Sequence, residues 1–227
     1  MKKPESTFKN MVLALTVIAI FAAVILASVY SLTKDPINNQ QLAKRQEAIR
    51  AVLPPYDYFD SKPVEMNNGV ETTRVYKAYD KNNVLVGAAV ESTSNNGYKG
   101  PIDIIIGFDN KGVIVNYSVL AQHETPGLGS KMDTWFKTSK AKQNIKGKNA
   151  ATSNLNVSKD GGEVDAITAA TISSRAFLFA VRNAYFAFTT NMVVQLNSSN
   201  IKTESSGHTL NDTTNTVNNS GMKGGKQ

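Results

Sequence analysis

The strongest constraint on this chain is the run from Met11 to Leu32, which contains no charge, no proline and no glycine. At about 1.5 Å per helical residue it covers roughly 33 Å, the thickness of a bilayer core. The run exceeds the roughly 7 to 15 apolar residues of a signal-peptide core and lacks a convincing small-x-small cleavage site. It therefore reads as an uncleaved transmembrane helix in contact with the lipid bilayer. Lys2, Lys3 and Lys9 before the span are balanced by Lys34, Lys44, Arg45 and Arg50 after it, so charge counting does not orient it. A basic tail, an apolar span and then a long domain have the order of a signal anchor. That order predicts a cytoplasmic tail over 1–10, the span over 11–32, and an exported domain.

Beyond the span, Leu42, Ile49, Val52 and Leu53 recur among charges between Asn39 and Leu53, an amphipathic helix ended by Pro54-Pro55. A linker helix is expected over 33–55. The stretch 197–227 is dominated by Ser, Thr, Asn, Gly and Lys and reads as a disordered polar tail, since it has too little apolar surface to offset its ordering entropy. One domain of ordinary size remains over 56–196. Within it, Thr73 to Tyr79 and Val84 to Glu91 flank Asp80-Lys81-Asn82-Asn83, and Ile102 to Phe108 and Val113 to Leu120 flank Asp109-Asn110-Lys111-Gly112. No helix-length segment separates the members of either pair, so both read as antiparallel hairpins. From Ile167 to Phe188, apolar side chains at Ile167, Ala170, Phe177, Leu178, Val181, Tyr185 and Phe188 follow a buried helix face. The fold class is α+β: an N-terminal transmembrane helix, then a twisted antiparallel sheet packed with helices.

The absence of cysteine excludes disulfides, thiolate metal sites, Cys nucleophiles and c-type haem attachment. With only His123 and His208, a three-histidine metal site is also out of reach. No metal is expected. The net charge of +7 is concentrated at Lys131, Lys137, Lys140, Lys142, Lys146 and Lys148, interrupted by the single acid Asp133. With a membrane anchor and no recognisable nucleic-acid motif, this run reads as a solvated basic face, or one that meets an acidic partner or lipid headgroups, and no nucleic acid is expected.

Two segments carry more. His123-Glu124-Thr125-Pro126-Gly127-Leu128-Gly129 follows the second hairpin, and its glycines let backbone approach a flat or anionic ligand, although Gly and Pro also punctuate ordinary turns. Asp165-Ala166-Ile167-Thr168-Ala169-Ala170-Thr171-Ile172-Ser173-Ser174 is read as the opening of the long helix, with Asp165 as its N-cap. Hydroxyls at Thr168, Thr171, Ser173 and Ser174 then crowd a helix end that favours an anion. The bland alternative for this segment is a capped helix whose small residues allow close packing.

Taken together with Gly97-Tyr98-Lys99-Gly100-Pro101-Ile102 and Lys131, these segments resemble the FMN-binding domain of the G subunit of the Rnf ion-translocating electron-transport complex. The C subunit of the sodium-translocating NADH:quinone reductase has a similar domain. The resemblance implies FMN joined through a phosphoester to Thr171, attached by a separate flavin transferase with FAD as donor. It further implies that Asp165, Thr168, Ala169, Ala170 and Ser173, and His123, Glu124, Thr125, Gly127, Leu128, Gly129 and Lys131, form the surrounding site. The family often has Ser-Gly-Ala-Thr where this chain has Thr168-Ala169-Ala170-Thr171, a change compatible with a helix at 169. By the same resemblance the domain lies on the periplasmic side of a bacterial inner membrane. Its flavin relays electrons among other membrane and peripheral subunits, coupling ferredoxin and NAD to sodium or proton transport. No independent catalytic site is expected. The alternatives are the quinone-reductase C subunit, a stand-alone flavin carrier, and a tethered binding domain without redox activity.

Overall fold

The computed structural model describes residues 8–67 and 71–205. Most of the expected cytoplasmic tail lies outside them, as does the expected disordered tail from 206 onward. Helix α1 (Phe8–Val52) is continuous through both the expected span and the expected linker. Among the described residues it is the one helix long and apolar enough to cross a membrane, and the side chains of its apolar window are unburied. Pro36 lies inside α1. A proline costs one intrahelical bond, yet it does not divide the helix into the two elements expected. Only the last turns meet the domain: Ala48, Ile49 and Val52 are buried, whereas Leu42 stays exposed.

A six-stranded antiparallel sheet follows, made of β1 (Tyr58–Phe59), β2 (Val64–Asn67), β3 (Thr72–Tyr79), β4 (Leu85–Ser94), β5 (Ile102–Asp109) and β6 (Ile114–Ala121). The order is β1-β3-β4-β5-β6, and β2 shares the β1 edge of β3, pairing Val64 with Val75 while β1 pairs Tyr58 with Tyr79. Both expected hairpins use the same turn chemistry. Asp80 Oδ1 accepts from the amides of Asn82 and Val84, each at 2.8 Å, with Asn83 at φ 60°. Asp109 Oδ1 accepts from Lys111 and Val113 at 2.8 and 2.9 Å, with Gly112 at φ 80°. In each turn the carboxylate replaces backbone partners, and the last turn residue is one that tolerates the left-handed region.

Strands β4 and β5 are buried along most of their length because helices cover both faces of the sheet. On one face Ile49, Val52 and Leu53 pack with Tyr76, Ala78, Ala89 and Ile105. Contact there is so close that a Cβ on Gly107 would collide with the Val52 backbone, and one on Gly87 would lie 2.8 Å from Pro54 Cγ. Gly107 is therefore needed for the helix end to dock, while a side chain on Gly87 would also meet the Phe108 carbonyl of the neighbouring strand. The other face carries α3 (Thr171–Ser205), preceded in the chain by the single-turn α2 (Met132–Trp135). Phe177 stacks on Phe136 at 4.4 Å and meets Tyr117 edge-on at 4.9 Å, while Phe108 contacts Phe188 at 5.1 Å. Each fully buried side chain of this size contributes about 1.5–3 kcal/mol. The Tyr117 hydroxyl donates to the Met132 carbonyl at 2.6 Å, and burial pushes its pKa up. The compact unit holding sheet and α1 ends at Thr189. The described residues from Thr190 to Ser205 are helical, so the nine residues 197–205 continue α3 where a polar tail was expected.

Candidate functional site

The first turn of α3 forms one wall of a cavity of about 480 Å³, and its geometry corrects the expected helix start. The helix begins at Thr171, and Asp165 is not its N-cap. Asp165 Oδ1 instead accepts from the Ser158 hydroxyl at 2.6 Å, and Oδ2 from the Lys142 amide at 3.1 Å. These two bonds hold its carboxyl below the ordinary carboxylate range. The property that suits Asp to a cap, a short acceptor that competes for amides, here ties two loops together. Ala169 is not helical either, since its φ is 61°. A left-handed residue with a Cβ costs about 1–2 kcal/mol, which gives a physical meaning to the glycine often found there in the resembling family. The Ala170 amide donates to the Ile167 carbonyl at 3.0 Å, and the first bond of the helix runs from the Ser174 amide to the Ala170 carbonyl at 3.0 Å. The amides of Thr171, Ile172 and Ser173 precede that bond, at the end of the helix where the dipole favours an anion.

The four hydroxyls of the segment separate into different roles. Ser174 is fully buried, donates to the Ala170 carbonyl at 2.9 Å and accepts from the Ile167 amide at 2.9 Å, which fixes the turn before the helix. Ser173 is 2% exposed and donates to Glu124 Oε2 at 2.7 Å. Thr168 is exposed and does not line the cavity. Thr171 is partly buried, lines the cavity, and has no side-chain hydrogen bond among the described residues.

Glu124 builds the opposite wall. It is 5% exposed; its Oε1 accepts from the Tyr98 amide at 2.7 Å and the Lys99 amide at 3.4 Å, while Oε2 takes the Ser173 hydroxyl. One carboxylate thus joins the 97–99 loop, the 124–129 loop and α3. A Cβ on Gly129 would lie 2.6 Å from Ser173 Oγ and 2.7 Å from Glu124 Oε2, and a Cβ on Gly97 would lie 2.8 Å from Glu124 Oε1. Both glycines leave room for this carboxylate.

Thr125, Leu128, Gly129, Ala169, Ala170, Thr171 and Ser173 share the cavity with Glu124. His123, Gly127, Lys131, Asp165 and Thr168 do not line it. His123 and Lys131 are exposed, and Gly127 at φ 75° shapes the turn that Ser130 Oγ closes by accepting its amide at 3.0 Å. Two rim residues were missed, Tyr98 (64% exposed) and Ile172 (48% exposed). The signal for Tyr98 was present, as an aromatic next to a glycine in a loop quoted only for its resemblance. With Leu128 they give the cavity an apolar, partly aromatic mouth suited to a flat ring. The lysine run lies elsewhere. Burial lowers the Lys137 pKa, aided by nearby Lys146, and its ammonium sits 4.5 Å from the Tyr117 ring centroid. Lys148 pairs with Glu163 at 3.3 Å.

The cavity is within the 300–1,000 Å³ usual for cofactor sites. Among the described residues it offers a hydroxyl and helical amides without partners, glycine-relieved packing and an apolar mouth. These features fit a phosphate ester carrying an aromatic ring system. Comparison with known proteins places the chain in a family. A family model described as the FMN-binding domain matches residues 97–185, which include both walls, and one described as the RnfG N-terminal region matches residues 1–52. The chain is 32% identical over 197 residues to the G subunit of the ion-translocating oxidoreductase complex of Aliivibrio fischeri (strain ATCC 700601 / ES114), covering 82% of this chain and 92% of that one. It is 33% identical over 196 residues to the protein of the same name from Haemophilus influenzae (strain PittEE), with the same coverage. Against that from Cronobacter sakazakii (strain ATCC BAA-894) it is 36% identical over 183 residues, covering 74% of this chain and 85% of that one.

Proposed function

The chain belongs to the family of G subunits of ion-translocating oxidoreductase complexes and carries its FMN-binding domain, and from that premise we propose that FMN is held covalently through Thr171. The observation that carries the attachment point is the division of hydroxyls: of the four in the segment, Thr171 alone both lines the cavity and has no hydrogen bond to the described residues. In maturation the Thr171 oxygen would bond the FMN phosphorus of FAD as the pyrophosphate bond breaks under a separate flavin transferase, with AMP leaving on the bridging oxygen and the hydroxyl proton released. The amides at the start of α3 then face the phosphate charge, an arrangement worth about 0.3–1 kcal/mol when exposed and more when partly buried. Tyr98, Leu128 and Ile172 would hold the ring at the mouth of the cavity. The bound flavin supplies one- and two-electron transfer. The residues of this chain bind and orient it.

In this reading α1 anchors the protein in the inner membrane, the domain faces the periplasm, and the flavin relays electrons among other subunits of a complex that couples ferredoxin and NAD to sodium or proton movement. The match of residues 1–52 to the RnfG N-terminal region favours this assignment over the C subunit of the sodium-translocating NADH:quinone reductase. A denaturing gel tests it. Protein made in a strain with an active flavin transferase is expected to give a band that fluoresces under ultraviolet light, and a dark band rules the covalent flavin out.

A further inference from the structure

Glu124 is buried at 5% exposure, lines the cavity, and receives two amide donors and one hydroxyl donor on its two oxygens. Donors converge on both of its oxygens, an arrangement that favours the carboxylate form. Among the described residues it forms no salt bridge. A buried charge without a counterion is costly, since dipoles alone must replace its hydration. Glu91, also buried, by contrast lies against Arg45 at 3.2 Å and Arg74 at 3.5 Å. The strap of hydrogen bonds would be met as well by a neutral amide, whose oxygen would accept from Tyr98 and whose nitrogen would donate to the Ser173 oxygen. The structural role therefore does not require the charge, and the charge has a second effect at the cavity.

We infer that Glu124 sets the redox potential of the cavity's occupant by holding an uncompensated negative charge beside it. The inference rests on the flavin reading above. Under mildly alkaline conditions, uptake of two electrons and one proton from a reductant adds one unit of negative charge to the cavity. A fixed anion nearby opposes that gain, so Glu124 keeps the site more strongly reducing than the same cavity would be with a neutral residue. The amides and the Ser173 hydroxyl partly offset the charge, and Ser173 thus acts on the flavin through Glu124 as a positioning residue.

The test is a dithionite titration of the full chain in detergent against a redox dye. Glu124→Gln keeps the strap and removes the charge. It is expected to raise the reduced-to-oxidised ratio at fixed potential by at least about tenfold, about 30 mV for a two-electron couple. An unchanged or lowered potential overturns the inference. Should Glu124→Gln fail to acquire flavin, Ser173→Ala decides: it leaves the charge in place but less offset, so the potential is expected to fall, and an unchanged or raised potential overturns the inference. A wild-type band without fluorescence overturns the flavin reading and this inference with it. A fluorescent band whose potential does not move overturns this inference alone.

Discussion

The two walls of the cavity use polar groups in opposite ways. On the side of Glu124 both carboxylate oxygens are engaged, by Tyr98, Lys99 and Ser173, and the glycine beside it is fixed by packing. On the side of α3 the Thr171 hydroxyl has no hydrogen bond among the described residues, and the amides of the first turn precede the first helical bond. One wall is finished by the protein itself. The other is left incomplete in the way a covalently attached phosphate would complete it. Rich motifs in a sequence are therefore not equivalent: the Glu124 segment builds the frame, and the segment before Thr171 presents the attachment point.

The largest expected effect breaks the incomplete wall. Thr171→Ala is expected to abolish in-gel flavin fluorescence, while Thr168→Ala retains at least part of it; loss only in the second variant would move the attachment to the outer turn. Next comes the finished wall. Gly129→Ala places a Cβ 2.6 Å from Ser173 Oγ, and overpacking of this kind costs roughly 1–3 kcal/mol. A lowered Tm with reduced flavin loading is expected, and an unchanged Tm would show that the wall is loosely packed. Ser174→Ala strands the Ile167 amide, an unsatisfied buried donor worth roughly 1–3 kcal/mol, measurable by denaturant unfolding.

A smaller gain is expected from Ala169→Gly. It relieves a left-handed alanine at φ 61°, with the relief of about 1–2 kcal/mol partly offset by the added freedom of the unfolded chain. A net stabilisation of up to about 1 kcal/mol in denaturant unfolding is expected, and destabilisation would contradict the backbone described for this turn. The least effect concerns Asp165. Its folded carboxyl titrates below the unfolded one because Ser158 and Lys142 donate to it. The tie therefore contributes above the unfolded pKa and is lost as pH falls through the folded pKa. Limited proteolysis is expected to show the 158–165 loops opening toward acid, and Asp165→Asn should reduce that pH dependence.

Much of this frame was legible in the sequence because it rests on repeated local signals. The paired turns at Asp80 and Asp109 carry acceptor and left-handed residues in fixed places, and the strands beside them are long. Strands β1 and β2 were not legible, being two and four residues long and defined only by pairing to β3. The start of α3 was misplaced because Asp165 carries the local signature of a cap, and its actual partners, Ser158 and the Lys142 amide, come from distant turns. Likewise, Thr168 and Thr171 are equivalent by composition. Only the turn at Ala169 places one outside the cavity and the other on its wall.

The central claim is that Thr171 is left unbonded because it carries the flavin phosphate. The most direct measurement is fragment-ion mass spectrometry of the wild-type peptide spanning Thr168 to Arg175, from protein made with an active flavin transferase. The account predicts an added mass of FMN less water located on Thr171. An unmodified peptide, or the added mass on Thr168, Ser173 or Ser174, would contradict it.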